Sequence, residues 1–395
     1  MNALDGIRVI DVTHHISGPT CTMLLGDYGA EVIKIEPLDG EPLRAMNVVN
    51  TGGQRSTFLA VNRNKSSVAL NLRSDTGRAI VRDMIRDADV FVENFRPGVA
   101  ERLGLDYSAL SAINSRLVYC SINGFGSEGP YRNRPALDLI VQAMGGVMSV
   151  TGESGGEPLP CGAPVADYLS GVQGLLGILL ALQARQRTGR GQRVEASMLN
   201  AMVSLLSLRL QQFWATGTDL APLGSKHPQN TPWGLFNAAD LPFVVAVSTQ
   251  PFWKRFCGAI DRADLEQNAL YANNVDRSAN RDALDAELST WFATKPRDYW
   301  LQRLIKAGVP SGPVNSIAGL VNDEQVRQSG MLMNMTLQTG ETVPIVGPPV
   351  RLSDTPASIR LPSPVMGADT RRVMKTLGYT DDEQRKLADE GVIKL

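Results

Sequence analysis

Short runs of apolar, β-branched residues recur through the first third of the chain, at Ile7–Val12, Glu31–Glu36, Ser67–Leu72, Asp89–Glu93 and Leu117–Ile122. Several of the intervening segments repeat at helical spacing instead. In Ser74–Ala88 the side chains of Ile80, Val81, Met84, Ile85 and Ala88 fall on one helix face, because residues three and four apart share a face. Ser74 or Asp75 suits the start of that helix, since a short side-chain oxygen accepts a backbone N–H left free in the first turn. Strands alternating with helices predict a mostly parallel sheet covered on both faces. The first half therefore reads as an α/β open sheet.

From Asp167 to Gly191 the pattern predicts one long helix closed by TGRGQ. Ser170, Gly174, Gly177, Ala181 and Ala184 form a small-residue stripe down one face. Glycine inside a helix costs about 1 kcal/mol against alanine, so close approach of another backbone is the expected compensation. A helix–helix seam, within the subunit or across a dimer, is the predicted use. After Ala221 the texture changes. PLGSKHPQNTPWG reads as a linker or exposed loop, Leu241–Val247 as a strand, and Pro251–Ala259, Asn280–Ala293 and Pro296–Ala307 as helices. Prolines recur from Val343 to Pro364 in an extended passage, and short helices near Asp369–Leu377 and Asp381–Asp389 follow. The expected division is 1–200 plus 330–395 as a large domain, 201–224 as a linker, and 225–329 as a smaller, mostly helical domain.

A formal net charge of -1 supplies no global field for steering polyanions, which argues against a nucleic-acid partner. Any phosphate site must be local. The start lacks the basic and apolar regions of a signal peptide. Leu175–Leu182, the most apolar stretch, falls short of the ~20 residues of a membrane span. Cysteines 21, 120, 161 and 257 form no CxxC pair, and the three histidines suggest no metal cluster. A cytoplasmic protein with reduced thiols, no metal and no membrane partner is expected.

Asp167 sits at the start of the long apolar helix. It reads as an N-cap, or as a carboxylate nucleophile able to form a covalent acyl intermediate. The two readings are compatible, since the helix start favours the ionised form and neighbouring N–H groups could hold an oxyanion. The glycines of VIDVTHHISGPTCTMLLGDYGAEVIKIE, at 18, 26 and 29, do not spell the G-x-G-x-x-G of a nicotinamide site. His14 and His15 read as loop packing. Arg73, Asn94, Phe95, Arg96 and Arg102 follow predicted strands, where open sheets form their ligand crevice. Arginine forks match phosphate oxygens, although ordinary solvated charges are the plainer reading. INGFGSEGPYRNRP carries Phe125, Tyr131, Arg132 and Arg134 on a glycine-rich loop, either a lid or a turn.

Eight ordered stretches carry a resemblance: GPTCTMLLGDYGAEVIKIEP, NRNKSSVALNL, ADVFVENFRPGVAERLGL, GFGSEGPY, LDLIVQAMGGVMSVTG, GAPVADYLSG, RQRTGRGQRVEASMLNA and VGPPVRLSDTPA. The chain resembles the class III CoA-transferase family, which includes the CaiB/BaiF proteins and formyl-CoA transferase. That resemblance implies a Rossmann-like open sheet in the large domain, a smaller, mostly helical second domain, and an interlocked homodimer. It implies that Asp167 forms an acyl anhydride and then a thioester with CoA. It places Ile16, Ser17, Leu70, Arg73, Asn94, Phe95, Arg96, Arg102 and Met198 around CoA, with Arg73 where some relatives have lysine. Acyl-CoA and a carboxylic acid are the implied substrates, with no cofactor beyond CoA itself. TPWGLFNAADLPF lacks the glycine run of formyl-CoA transferases, which counts against formyl or oxalyl substrates. An α-methylacyl-CoA racemase from the same superfamily would need a His/Asp acid–base pair. Leu137 stands where its histidine is expected, beside Asp138. A non-catalytic CoA-binding protein could dispense with Asp167.

Overall fold

Six parallel strands build the central sheet: β1 (Arg8–Asp11), β2 (Glu31–Glu36), β3 (Lys65–Leu70), β4 (Val90–Glu93), β5 (Val118–Asn123) and β6 (Arg193–Ser197). They lie in the order 3-2-1-4-5-6 in the computed structural model, which describes residues 1–46 and 49–395. Ile393–Lys394 adds an antiparallel strand on the outer edge of β3. This is the doubly wound order of dinucleotide-binding sheets.

Successive side chains of a strand point to opposite faces, and both faces are buried here. Ile10, Ile33, Val68, Phe91 and Tyr119 pack with Ile80, Val81, Met84 and Ile85 on one side. Val9, Val32, Val90, Val118 and Cys120 pack with Leu25, Ile178 and Ala181 on the other. The helices that matter to the site are α1 (Ser17–Asp27), α2 (Asp75–Ile85), α3 (Asp138–Met144), α4 (Val165–Thr188) and α5 (Met198–Leu205). Ser74 caps α2 as expected, accepting the Gly77 N–H.

Helix α4 forms the expected seam within the subunit, against α1, and its glycines also bring it onto the sheet. A Cβ on Gly171 would lie 2.5 Å from the Ser17 carbonyl oxygen, at the start of α1. A Cβ on Gly174 would lie 2.8 Å from Ile122 Cδ1, and one on Gly177 2.4 Å from Val194 Cγ1. Helix α4 packs along α1, where Cys21 and Leu25 meet Ile178 and Ala181, and Gly174 and Gly177 also bring it close to strands. At 24 residues α4 is also long and apolar enough to cross a membrane by length and composition, which the Leu175–Leu182 stretch alone did not suggest. Its glycines seat it on the sheet instead.

The chain divides into two compact units, one of residues 1–147, 160–217 and 324–395, the other of 148–159 and 218–323. Much of the expected linker is helical, because α5 is followed by a helix over Ser207–Thr216. The second unit contains more than helices. β7 (Trp233–Asn237), β8 (Pro242–Ala246) and β9 (Ser311–Pro313) form an antiparallel sheet. Phe236, Phe243 and Val245 from it pack against Trp253, Phe256, Leu284, Leu288, Phe292 and Trp300. The proline-rich passage begins within a hairpin, Leu332–Thr336 pairing with Thr342–Val346.

Candidate active site

The strand order reverses between β1 and β4, and open sheets bind ligands outside the carboxyl ends of strands at such a reversal. A cavity of about 780 Å³ lies there. Its walls come from the loop after β1, the loop after β4, the end of β5, the starts of α3 and α4, and Met198.

The loop after β1 is fixed by charge from below and by hydrogen bonds from the side. Asn94 Nδ2 donates to the His14 carbonyl at 2.7 Å, and the His14 N–H donates to Asn94 Oδ1 at 2.8 Å. This reciprocal pair spans the reversal point. His15 holds a left-handed backbone, φ 62, a region few side-chain-bearing residues adopt, and its N–H donates to Glu41 Oε2 at 3.1 Å. Glu41 pairs with Lys34 at 3.2 Å, and Lys34 Nζ donates to the Thr13 carbonyl at 2.8 Å. Asp11 accepts the Thr13 N–H at 2.8 Å and pairs with Lys65 at 3.1 Å. Removing one partner of such a buried pair leaves an uncompensated charge that costs several kcal/mol. Burial pushes the Asp11 carboxyl up, but the Lys65 and Lys34 ammonium groups and the Thr13 and Thr22 hydroxyls outweigh it and hold the group at about 2. Burial and the Lys34 charge lower the pKa of His14, so its imidazole is neutral at pH 7.

Asp167 is not the N-cap of α4. Its side chain makes no capping bond, and it stands within the first turn. Asp138, from the start of α3, caps the helix across space: its Oδ1 accepts the Ala166 N–H at 2.8 Å and the Asp167 N–H at 3.2 Å. Gln142 Nε2 holds the other Asp138 oxygen at 2.5 Å, and Gln142 Oε1 accepts the Cys161 N–H at 2.8 Å. Those two helix-start donors are therefore taken, and neither is free for an oxyanion. The Asp167 carboxyl is pushed up to about 6, first by burial and then by the Asp138 charge, while the Ser17 hydroxyl pulls the other way. It is both ionisable near neutrality and partly desolvated, as a carboxylate nucleophile requires.

The glycine-rich loop is anchored near its start. Asn123 Oδ1 accepts the Gly126 N–H at 2.5 Å, and Glu195 takes the Ser127 N–H at 2.6 Å and its hydroxyl at 2.5 Å. Among the described residues, no group of three or more His, Cys, Asp or Glu is placed to hold a metal.

A profile described as CoA-transferase family III matches residues 4–370. The chain belongs to CoA-transferase family III. It is 41% identical over 351 residues to the acetyl-CoA:oxalate CoA-transferase of Acetobacter aceti, spanning 88% of this chain and 89% of that one. It is 35% identical over 400 residues to the succinyl-CoA:mesaconate CoA-transferase of Haloarcula hispanica, spanning 99% and 100%. A crystal structure of a CaiB/BaiF family protein from Brucella suis superposes with a TM-score of 0.86 at 34% identity, covering 95% of this chain and 100% of that one. This chain is thus a family III CoA-transferase, with a largely parallel central sheet like that of its structural relative.

For this family III chain, the cavity brings together Ile16, Ser17, Asn94, Phe95, Arg96, Asp167 and Met198. Leu70 does not join them through its side chain, which is 0% exposed within the core under α2. The apolar register of β3 turns it inward. Arg73 and Arg102 are exposed and lie outside the cavity wall. Asp138 is the site residue that sequence reasoning did not select. An acidic residue heading the apolar LIVQAM run was the available signal, but its bonds run to a segment 28 residues away.

Proposed function

We propose that this family III enzyme moves CoA from an acyl-CoA donor to a carboxylic acid with Asp167 as the covalent carrier, as a cytoplasmic homodimer needing no cofactor beyond CoA as substrate. The observation that carries this reading is a partly desolvated carboxyl, with a pKa raised to about 6, on the wall of the crevice where the strand order reverses. The Asp167 carboxylate attacks the donor thioester carbonyl, releasing CoA thiolate and leaving a mixed anhydride. The thiolate attacks the aspartyl carbonyl, expelling the donor acid and leaving an aspartyl–CoA thioester. The acceptor carboxylate attacks that thioester to give a second anhydride and thiolate. Attack of the thiolate on the acyl carbonyl completes the new acyl-CoA and frees Asp167. Retaining thiolate beside the anhydride matters, because oriented partners reach effective molarities of roughly 10⁵–10⁸ M. Excluding water matters equally, because an anhydride hydrolyses.

Ile16, Ser17, Asn94, Phe95, Arg96 and Met198 would line the thioester end, and the exposed Arg73 and Arg102 would meet phosphate oxygens further out. Two relatives are named for oxalate and mesaconate, both dicarboxylic acids, so a short dicarboxylic acid is the proposed acceptor class. Oxalate belongs on that list despite the missing glycine run.

Asp167→Ala should abolish transfer while CoA affinity stays within roughly tenfold, about 1.4 kcal/mol. Incubation of the native enzyme with acyl-CoA and hydroxylamine should yield an aspartyl hydroxamate at position 167 by mass spectrometry. Persistent transfer in the alanine variant would end the proposal.

A further inference from the structure

Two guanidinium groups in the cavity wall, those of Arg132 and Arg134, have no role in the chemistry above. Among the described residues no carboxylate pairs with either. Arg193, which shares a neighbouring cavity of about 410 Å³ with Arg132, is paired with Glu195 at 3.3 Å. Arg134, by contrast, lines only the cavity that holds Asp167.

Arg134 is also held in place. Its Cζ lies 4.8 Å from the centre of the Tyr131 ring, a cation–π distance. Tyr131 in turn meets Phe125 edge-on at 5.9 Å, and Phe125 packs with Val141, Ala166 and Met198. Arg134 and Asp138 are four positions apart in the chain, which caps the spacing of their Cα atoms at about 14 Å. Asp138 is bonded to the backbone of Asp167. Arg134 and Asp167 thus stand on the wall of one cavity. A dianion entering here also approaches two carboxylates, Asp138 and Asp167, and needs opposing positive charge to settle. Guanidinium forks bind carboxylates through two parallel hydrogen bonds, whereas an alkyl end would leave the cation unmatched.

We propose that Arg134, backed by Arg132, binds the distal carboxylate of a dicarboxylic acid whose other carboxylate reacts at Asp167. This assignment rests on the transfer reading. The test uses acetyl-CoA as donor, so that the donor acyl group carries no second carboxylate. Acceptors are oxalate, succinate, glutarate and butyrate, with products read by mass spectrometry. The native enzyme should prefer succinate to butyrate at least tenfold in kcat/KM. Arg134→Gln should shrink that ratio at least tenfold, mainly through the KM for succinate, and Arg134→Lys should restore part of it. An unchanged ratio in Arg134→Gln and in Arg132→Gln would overturn the assignment while leaving transfer intact. So would an equal loss with every acceptor accompanied by a raised KM for acetyl-CoA, which would put the guanidinium on CoA. Absence of transfer with any acceptor would count against the transfer reading instead. Calorimetric titration of succinate then decides the assignment by itself: binding must be present in the native protein and weakened in Arg134→Gln.

Discussion

On the proposed mechanism Asp167, with its pKa at about 6, works only through its ionised fraction, so the acid limb of the transfer rate should report it. The rate should rise with pH through that region and level off above it. Asp138→Asn removes the like charge that raises the pKa, while the amide oxygen can still accept the two helix-start N–H bonds. Its acid limb should therefore move to lower pH. Ser17→Ala removes the hydroxyl that lowers the pKa, so its limb should move to higher pH. Coincident pH profiles for all three proteins would separate Asp167 from the titration. At this scale the sequence was informative about position and silent about partners. The place of Asp167 at the head of a long apolar run was legible as an N-cap or a nucleophile, and the structure puts it in the first turn of α4, on the cavity wall. Asp138 was not legible, because capping across space leaves no local spacing to read. The burial of the Leu70 side chain was not legible for a related reason: a residue at a strand's end can face the crevice or the core, and only the pairing register decides.

At the scale of elements, α4 comes close to the backbone of α1 at the first residue of α1. A methyl group at Gly171 would lie 2.5 Å from the Ser17 carbonyl, a backbone atom. At Gly174 its nearest neighbour would be the tip of Ile122 at 2.8 Å, and a side-chain tip can turn aside. Alanine gains about 1 kcal/mol over glycine in helix propensity, and overpacking costs about 1–3 kcal/mol where nothing can yield. Gly171→Ala should accordingly lose stability in urea unfolding, and transfer activity with it, because Ser17 is displaced. Gly174→Ala should stay close to the native protein; equal losses would contradict the distinction. The first five strands were legible from their β-branched runs because parallel strands buried on both faces read as continuous apolar segments. β6 was not. RVEAS places Arg193 and Glu195 in solvent at the sheet's edge, so its pattern resembles a polar loop. Ser207–Thr216 escaped notice because Leu208 and Trp214 are 83% and 65% exposed, which erases the polar stripe expected of a surface helix.

Those exposed groups bear on the whole molecule. On α4, Leu176 and Leu180 are 55% and 62% exposed, and large apolar side chains on a surface commonly mark contact with another protein. Sedimentation velocity should therefore find a dimer, and Leu180→Glu should shift it toward monomer; a monomeric native protein would remove the second copy from the proposal. The division into units was only partly readable, because the large unit is assembled from three separate stretches of chain. Its sheet is closed by the most distant of them. Ala69 of β3 donates its N–H to Thr370, 301 residues further on, and Leu70 pairs with Ile393. A ribosome adding about 5–20 residues per second leaves that edge uncovered for roughly 15–60 s in every nascent chain. Open strand edges recruit other strands. The demand this fold makes on chaperones is thus set by the order in which its pieces leave the exit tunnel.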